Sequence, residues 1–83
     1  MKYIVGKKSE YDREMPVAFS EMMNHAKVAD ALNFPIIVSA GFIYYEPCLA
    51  DDPKIYCMGS STSLRVSSRG DEDTKLFLNM LRN

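Results

Sequence analysis

Tryptophan is absent, histidine occurs once, and the 83 residues include only two cysteines, four glycines and four prolines. Cys48 and Cys57 are too few to staple a mini-protein, and they lack the partners for a four-ligand zinc site. They read as free thiols of a reducing cytoplasm. An excess of positive charge is also missing. Ten Lys plus Arg stand against eleven Asp plus Glu, for a formal net charge of -1, so nothing global holds a nucleic-acid backbone and DNA or RNA binding is not expected. There is no long apolar run. The most apolar stretch, Phe34 to Tyr45, is about half the length of a membrane-spanning helix and is broken by Pro35, Ser39 and Gly41. From Met1 to Lys8 no uninterrupted apolar segment leads to a small-residue cleavage site. The sequence therefore predicts a cytoplasmic protein outside the membrane.

What remains is the composition of a folding domain. Hydrophobic residues make up 47% and charged residues 25%, unlike a disordered chain. The length suits one domain, near the lower end of what a single core can hold.

Tyr3 to Gly6 is β-branched and aromatic, Val17 to Phe19 is a second apolar patch, and the polar run Lys8 to Glu14 separates them, which predicts a hairpin with a long solvated tip. Pro16 either demotes the second strand to an edge or opens a helix at its first turn. Ser20 stands where an N-cap should, followed by Glu21, and a helix from Ser20 to Leu32 follows, with Met22, Ala26 and Ala29 on its buried face. The strongest strand signal is Ile36 to Glu46. Strict alternation puts Ile36, Val38, Ala40, Phe42 and Tyr44 on one face, and Ile37, Ser39, Gly41, Ile43 and Tyr45 on the other. After the turn-rich segment Pro47 to Pro53, a return strand begins at Lys54 and is read as continuing to Ser67, with a bulge at Gly59. Asp71, Glu72 and Asp73 then crowd a helix start, with Leu76, Phe77, Met80 and Leu81 as its apolar stripe. The order β-β-α-β-β-α predicts an α+β domain: a two-layer antiparallel sheet with both helices on one face.

If the second hairpin pairs symmetrically, Glu46 lies opposite Lys54 and Phe42 opposite Met58, and continued pairing sets Gly41 opposite Gly59. Flanked by Ser39 and Ser61, those glycines would leave a shallow gap where another backbone or a flat ligand could approach closely. The tract from Gly59 to Gly70 adds hydroxyls and two guanidinium groups, the parts of an anion or nucleotide site. The candidate ligand residues are therefore Ser39, Gly41, Gly59, Ser61, Ser63, Arg65 and Arg69. Against this stand the missing phosphate-loop spacing and the carboxylates already crowding the helix start. Exposed strand and capping roles explain the same residues.

His25 with Cys57 or Cys48 would be needed for cysteine-dependent catalysis, but no local signature supports it; a histidine packed at the core edge is the simpler reading. The Asp51-Asp52 and Asp71-Glu72-Asp73 runs lack the alternation of a calcium loop, so no metal site is expected. No cofactor and no catalytic residue are assigned. Five tyrosines, four phenylalanines and six methionines exceed what one small core easily buries. Ile43, Tyr44, Tyr45, Ile55 and Tyr56 are therefore expected at an interface, with another copy of the chain or with a foreign protein. The alternative is that the first hairpin or a terminus folds over this surface.

Ser39-Ala40-Gly41-Phe42, the run Gly59 to Leu64, and Ser68 to Asp73, following Asn24-His25-Ala26, resemble segments of small phage and prophage proteins. The resemblance covers most of the chain from Phe19 onward and implies a binding role without catalysis. A protein of that kind blocks a host protein or sequesters a signalling nucleotide. Two readings follow: a homo-oligomeric inhibitor or modulator of a host protein, and a small-ligand sequestering protein.

Overall fold

A computed structural model describes residues 1–46 and 54–82. Its main sheet has four antiparallel strands in the order β2-β1-β3-β4, formed by β1 (Lys2–Lys7), β2 (Met15–Phe19), β3 (Ile36–Glu46) and β4 (Lys54–Met58). A two-stranded ladder, β5 (Ser60–Ser61) with β6 (Val66–Ser67), follows. The helices are α1 (His25–Ala31) and α2 (Asp71–Arg82). The chain is thus a small α+β fold.

The helices lie on opposite faces of the sheet, which corrects the two-layer expectation. Neighbouring residues of a strand point to opposite sides. Ile4 and Ala40 pack with Val28 and Ala29 of α1, whereas Tyr3 and Val5 pack with Cys57 and with Phe77 of α2. β1 is consequently apolar on both sides and buried from Tyr3 to Gly6. A continuous apolar run of this kind belongs to a strand covered twice, whereas a half-solvated strand would alternate.

Strict alternation along β3 also fails, for a local reason. Val5 pairs with Ser39 and Gly6 with Ile37, so one residue of β3 is extra at that point. The bulge shifts the parity of the strand. Val38 joins Ser39 and Ile43 on the α2 side, while Ile37 joins Ala40 on the α1 side. Gly6 sits at the bulge because the Phe34 ring fills the place of its side chain: a Cβ there would lie 2.4 Å from Phe34 Cγ.

Residues 15–19 are a strand, with Pro16 paired to Val5 on the outermost strand, the place in a sheet that tolerates a residue without an N–H. The helix predicted from Ser20 begins five residues later. Asn24 is its N-cap, its side-chain oxygen accepting from the N–H groups of Ala26 and Lys27 at 2.8 and 3.3 Å. Ser20 closes only a turn, accepting from Met22 N–H at 3.2 Å. Met22, expected inside, is 96% exposed, and the buried positions are His25, Val28 and Ala29.

The register Glu46 to Lys54 and Phe42 to Met58 is the one expected, but pairing stops at Met58. Gly59 adopts φ +86°, a conformation that costs glycine little. The chain turns there into the β5–β6 ladder, whose Leu64 packs against the α1-side core. The return strand therefore does not reach Ser67. The α2 side of the sheet, expected to be covered by a partner or else by the first hairpin or a terminus, is covered by the C-terminal helix α2, with Ile43 packed against that core.

Candidate functional site

The strand pair at the end of the sheet is the first candidate. β1 reaches only to Phe42, so among the described residues Tyr44 to Glu46 of β3 have β4 as their sole strand neighbour. Exposure rises along this tongue. Tyr44 is 54% exposed, Tyr45 64%, Tyr56 42% and Met58 46%. Tyr44 pairs with Tyr56 and Phe42 with Met58, giving an aromatic and methionine strip on the α1 side, while Tyr45 and Ile55 lie on the α2 side. Of the five expected interface residues, Tyr44, Tyr45 and Tyr56 are exposed, Ile55 is half-buried, and half-buried Ile43 belongs to the core under α2.

Both outer strands resist pairing with a further strand. The Cys57 N–H of β4 donates to Thr74 Oγ1 of α2 at 3.0 Å, and Pro16 of β2 has no N–H to offer. Capped or proline-bearing edges discourage strand addition. Contact with another molecule would therefore use side chains of the tongue.

A groove of about 700 Å³ adjoins the tongue on the α1 side. Phe42 and Tyr44 of β3 line it together with His25, Asn24 and Lys2, and Gly59, Ser60, Thr62 and Ser63 form the facing wall. His25 is buried, its Nε2 donates to the Gly41 carbonyl at 2.9 Å, and its ring meets Phe19 and Phe42 edge to face. Lys2 Nζ donates to the Met23 carbonyl at 3.0 Å.

On the opposite side lies a buried polar network. Asp73 is fully buried. Tyr3 Oη donates to its carboxylate at 2.5 Å, the Arg69 N–H at 2.9 Å and the Arg69 Nε at 2.8 Å. The rest of the Arg69 guanidinium clamps Glu14 with bonds of 3.1 and 2.7 Å. Burial pushes the Asp73 carboxyl up, but the hydrogen bonds from Tyr3 and from Arg69 outweigh it and hold the group below its ordinary value. Ser39 Oγ, beside this carboxylate, is buried without a geometrically complete hydrogen bond. Burial, then the bond to Asp73, raises the Tyr3 hydroxyl. The Glu14 bond raises Arg69, and the Arg69 bond lowers Glu14. This network ties β1, the β2 approach and α2 together.

The seven ligand residues predicted around a Gly41 and Gly59 gap are not brought together. No such gap exists: a Cβ on Gly41 would lie 2.5 Å from the Met58 carbonyl oxygen and 3.2 Å from Ser68 Cβ, so the protein's own chain occupies the space. Ser39 and Arg69 belong to the Asp73 network. Ser61 is buried and accepts from Leu64 N–H. Arg65, with φ +55°, sits exposed in the β5–β6 turn. Only Gly59 and Ser63 reach the groove. Sequence reading missed Lys2, Asn24, Phe42 and Thr62 as groove residues. The available signal was Asn24, as strong an N-cap as serine and directly ahead of His25-Ala26-Lys27.

His25 and Cys57 lie on opposite faces of the sheet, which removes the cysteine-dependent pairing. Burial also pushes the Cys57 thiol up, away from the reactive thiolate. Cys48 and the Asp51-Asp52 pair fall outside the described residues. Among the described residues no group of three His, Cys, Asp or Glu side chains could hold a metal, and no helix is long and apolar enough to cross a membrane.

Comparison with known proteins finds no matching family model, no matching curated protein and no matching solved structure.

Proposed function

We propose that this protein is a non-enzymatic binding module that self-associates through the β3–β4 tongue, and that the assembled form inhibits or modulates another protein. The observation that carries this reading is the exposure of Tyr44, Tyr56 and Met58 on one face of the strand pair, with Tyr45 exposed on the other. Tyrosine gives large contact area at low entropic cost, and a cluster of such side chains is what interfaces use as anchors. The charges at the tip favour a second copy as occupant. Glu46 and Lys54 face one another across the tongue, so a two-fold contact would place opposite charges in register. Because the outer strands are capped, this contact is face to face.

The rest of the reading is consistent with that surface. His25 and Cys57, the side chains best suited to covalent chemistry, serve the core. The resemblance to small phage and prophage proteins supports a host protein as the target, and a buried free thiol at Cys57 suits the cytoplasm.

Tyr45→Ala tests the proposal, because Tyr45 is exposed and its loss should leave the folding midpoint within about 0.5 kcal/mol of the parent. Native mass spectrometry across a concentration series should show association weakened about tenfold or more. Association that is unchanged in Tyr45→Ala and in Tyr44→Ala/Tyr56→Ala would overturn the proposal.

A further inference from the structure

The groove beside the tongue carries a second inference; of the tongue's exposed side chains, Tyr44 lines it. Its volume, about 700 Å³, lies within the range of about 300–1,000 Å³ of small-molecule sites. Its lining is chemically one-sided. Aromatic rings, hydroxyls, an amide and an ammonium contribute to it, and among the described residues no carboxylate does.

Several of these groups are fixed in place with hydrogen-bonding capacity left over. The Asn24 side-chain oxygen is spent on the first turn of α1, which leaves its NH2 group to donate. Lys2 Nζ gives one of its three hydrogens to the Met23 carbonyl and keeps two. The Phe42 ring is clamped between the His25 ring, 5.7 Å away, and Gly59, where a Cβ would lie 3.0 Å from Phe42 Cδ2. Glycine at that position lets the backbone of the facing wall close down onto the ring, and Ser60 and Thr62 extend along that wall as hydroxyl donors.

We propose that this groove binds a small ligand joining a flat ring to an anionic group, a nucleoside monophosphate being the representative. Phe42 and Tyr44 supply the apolar contact for the ring. Lys2, with the Asn24 amide and the Thr62 hydroxyl, supplies the positive and donor-rich end for the anion. The site uses none of the arginines that composition alone makes attractive: Arg69 is committed to Asp73 and Glu14, and Arg65 does not line the groove.

Isothermal titration with AMP, adenosine and inorganic phosphate tests this on the intact protein. AMP should bind saturably, at least about fivefold tighter than adenosine, and phosphate alone more weakly than either. Thr62→Asp places a carboxylate on the exposed wall and should weaken AMP about five- to tenfold while leaving adenosine unchanged. That split separates a lost charge contact from a damaged fold. Lys2→Gln gives the same readout should Thr62→Asp fold poorly, and shifts of the Asn24 side-chain amide on AMP addition locate the site by NMR. Three results would each overturn the proposal: no saturable AMP binding up to about 5 mM, equal affinity for AMP and adenosine, or AMP binding unmoved by both substitutions. Self-association can fail or succeed in either case, because these substitutions leave Tyr45, Tyr56 and Met58 untouched.

Discussion

Asp73 carries the strongest consequences of any single side chain, because a fully buried carboxylate is tolerable only while its donors remain in place. Asp73→Ala strands the Tyr3 hydroxyl, the Arg69 N–H and part of the guanidinium, and should cost about 3 kcal/mol in urea denaturation. The same network sets an acid limit. Asp73 and Glu14 are both held below their ordinary values of 3.8 and 4.5 in the folded chain, so the unfolded chain takes up protons first as the pH falls. Their contribution is fully present above those ordinary values and is lost on further acidification through the depressed folded values. The urea midpoint should accordingly stay level from about pH 7 to 5 and drop below about pH 4.5, with a shallower drop in Asp73→Asn. A second residue-scale test concerns Gly41. Its missing Cβ is replaced by the Met58 carbonyl, which is backbone and cannot swing aside, so Gly41→Ala should lose about 1–3 kcal/mol by thermal or urea unfolding. In the sequence Asp73 is one of three acids at a helix start, and nothing distinguishes the buried one from Asp71 and Glu72. That distinction depends on Tyr3, seventy positions away, which sequence spacing cannot reveal.

At the scale of elements, the strands and the C-terminal helix are legible because their patterns are local. The β3–β4 register follows from the turn between them, and the α2 stripe follows from helical spacing. The first helix is misplaced because Ser20 and Asn24 are both good caps, and only the second stands ahead of positions that the sheet can bury. Asn24→Ala should therefore destabilise the protein by about 1 kcal/mol in urea titrations, and Ser20→Ala by less than about 0.5 kcal/mol. Equal losses would mean that the helix starts earlier. The facing of β3 is lost to sequence reading for a different reason. The bulge inserts one residue of β3 opposite Gly6 of another strand, with no mark in β3 itself, and every side chain on the far side changes face. The small ligand gap expected at Gly41 disappears for a separate reason: that expectation assumed an unbroken return strand through Gly59, whereas pairing ends at Met58.

For the whole molecule, one helix on each face of the sheet gives 83 residues two small cores in place of one. The sequence surplus of aromatic and methionine residues is thereby divided: Tyr3, Phe19 and Phe77 are buried, Tyr44, Tyr45, Tyr56 and Met58 remain outside on the β3–β4 strand pair, and Tyr11, Met22 and other methionines are exposed elsewhere. Composition shows the surplus, but only the position of α2 shows which residues stay exposed: Ile43 packs into the core under α2, whereas Tyr44, Tyr45 and Tyr56 do not. The central claim is that this exposed end is an association surface. Sedimentation velocity of the unmodified protein, from about 1 to 100 µM, tests it most directly. The account predicts a concentration-dependent shift from the 9.4 kDa chain to a dimer or larger species. A single monomeric species across the whole range would contradict it.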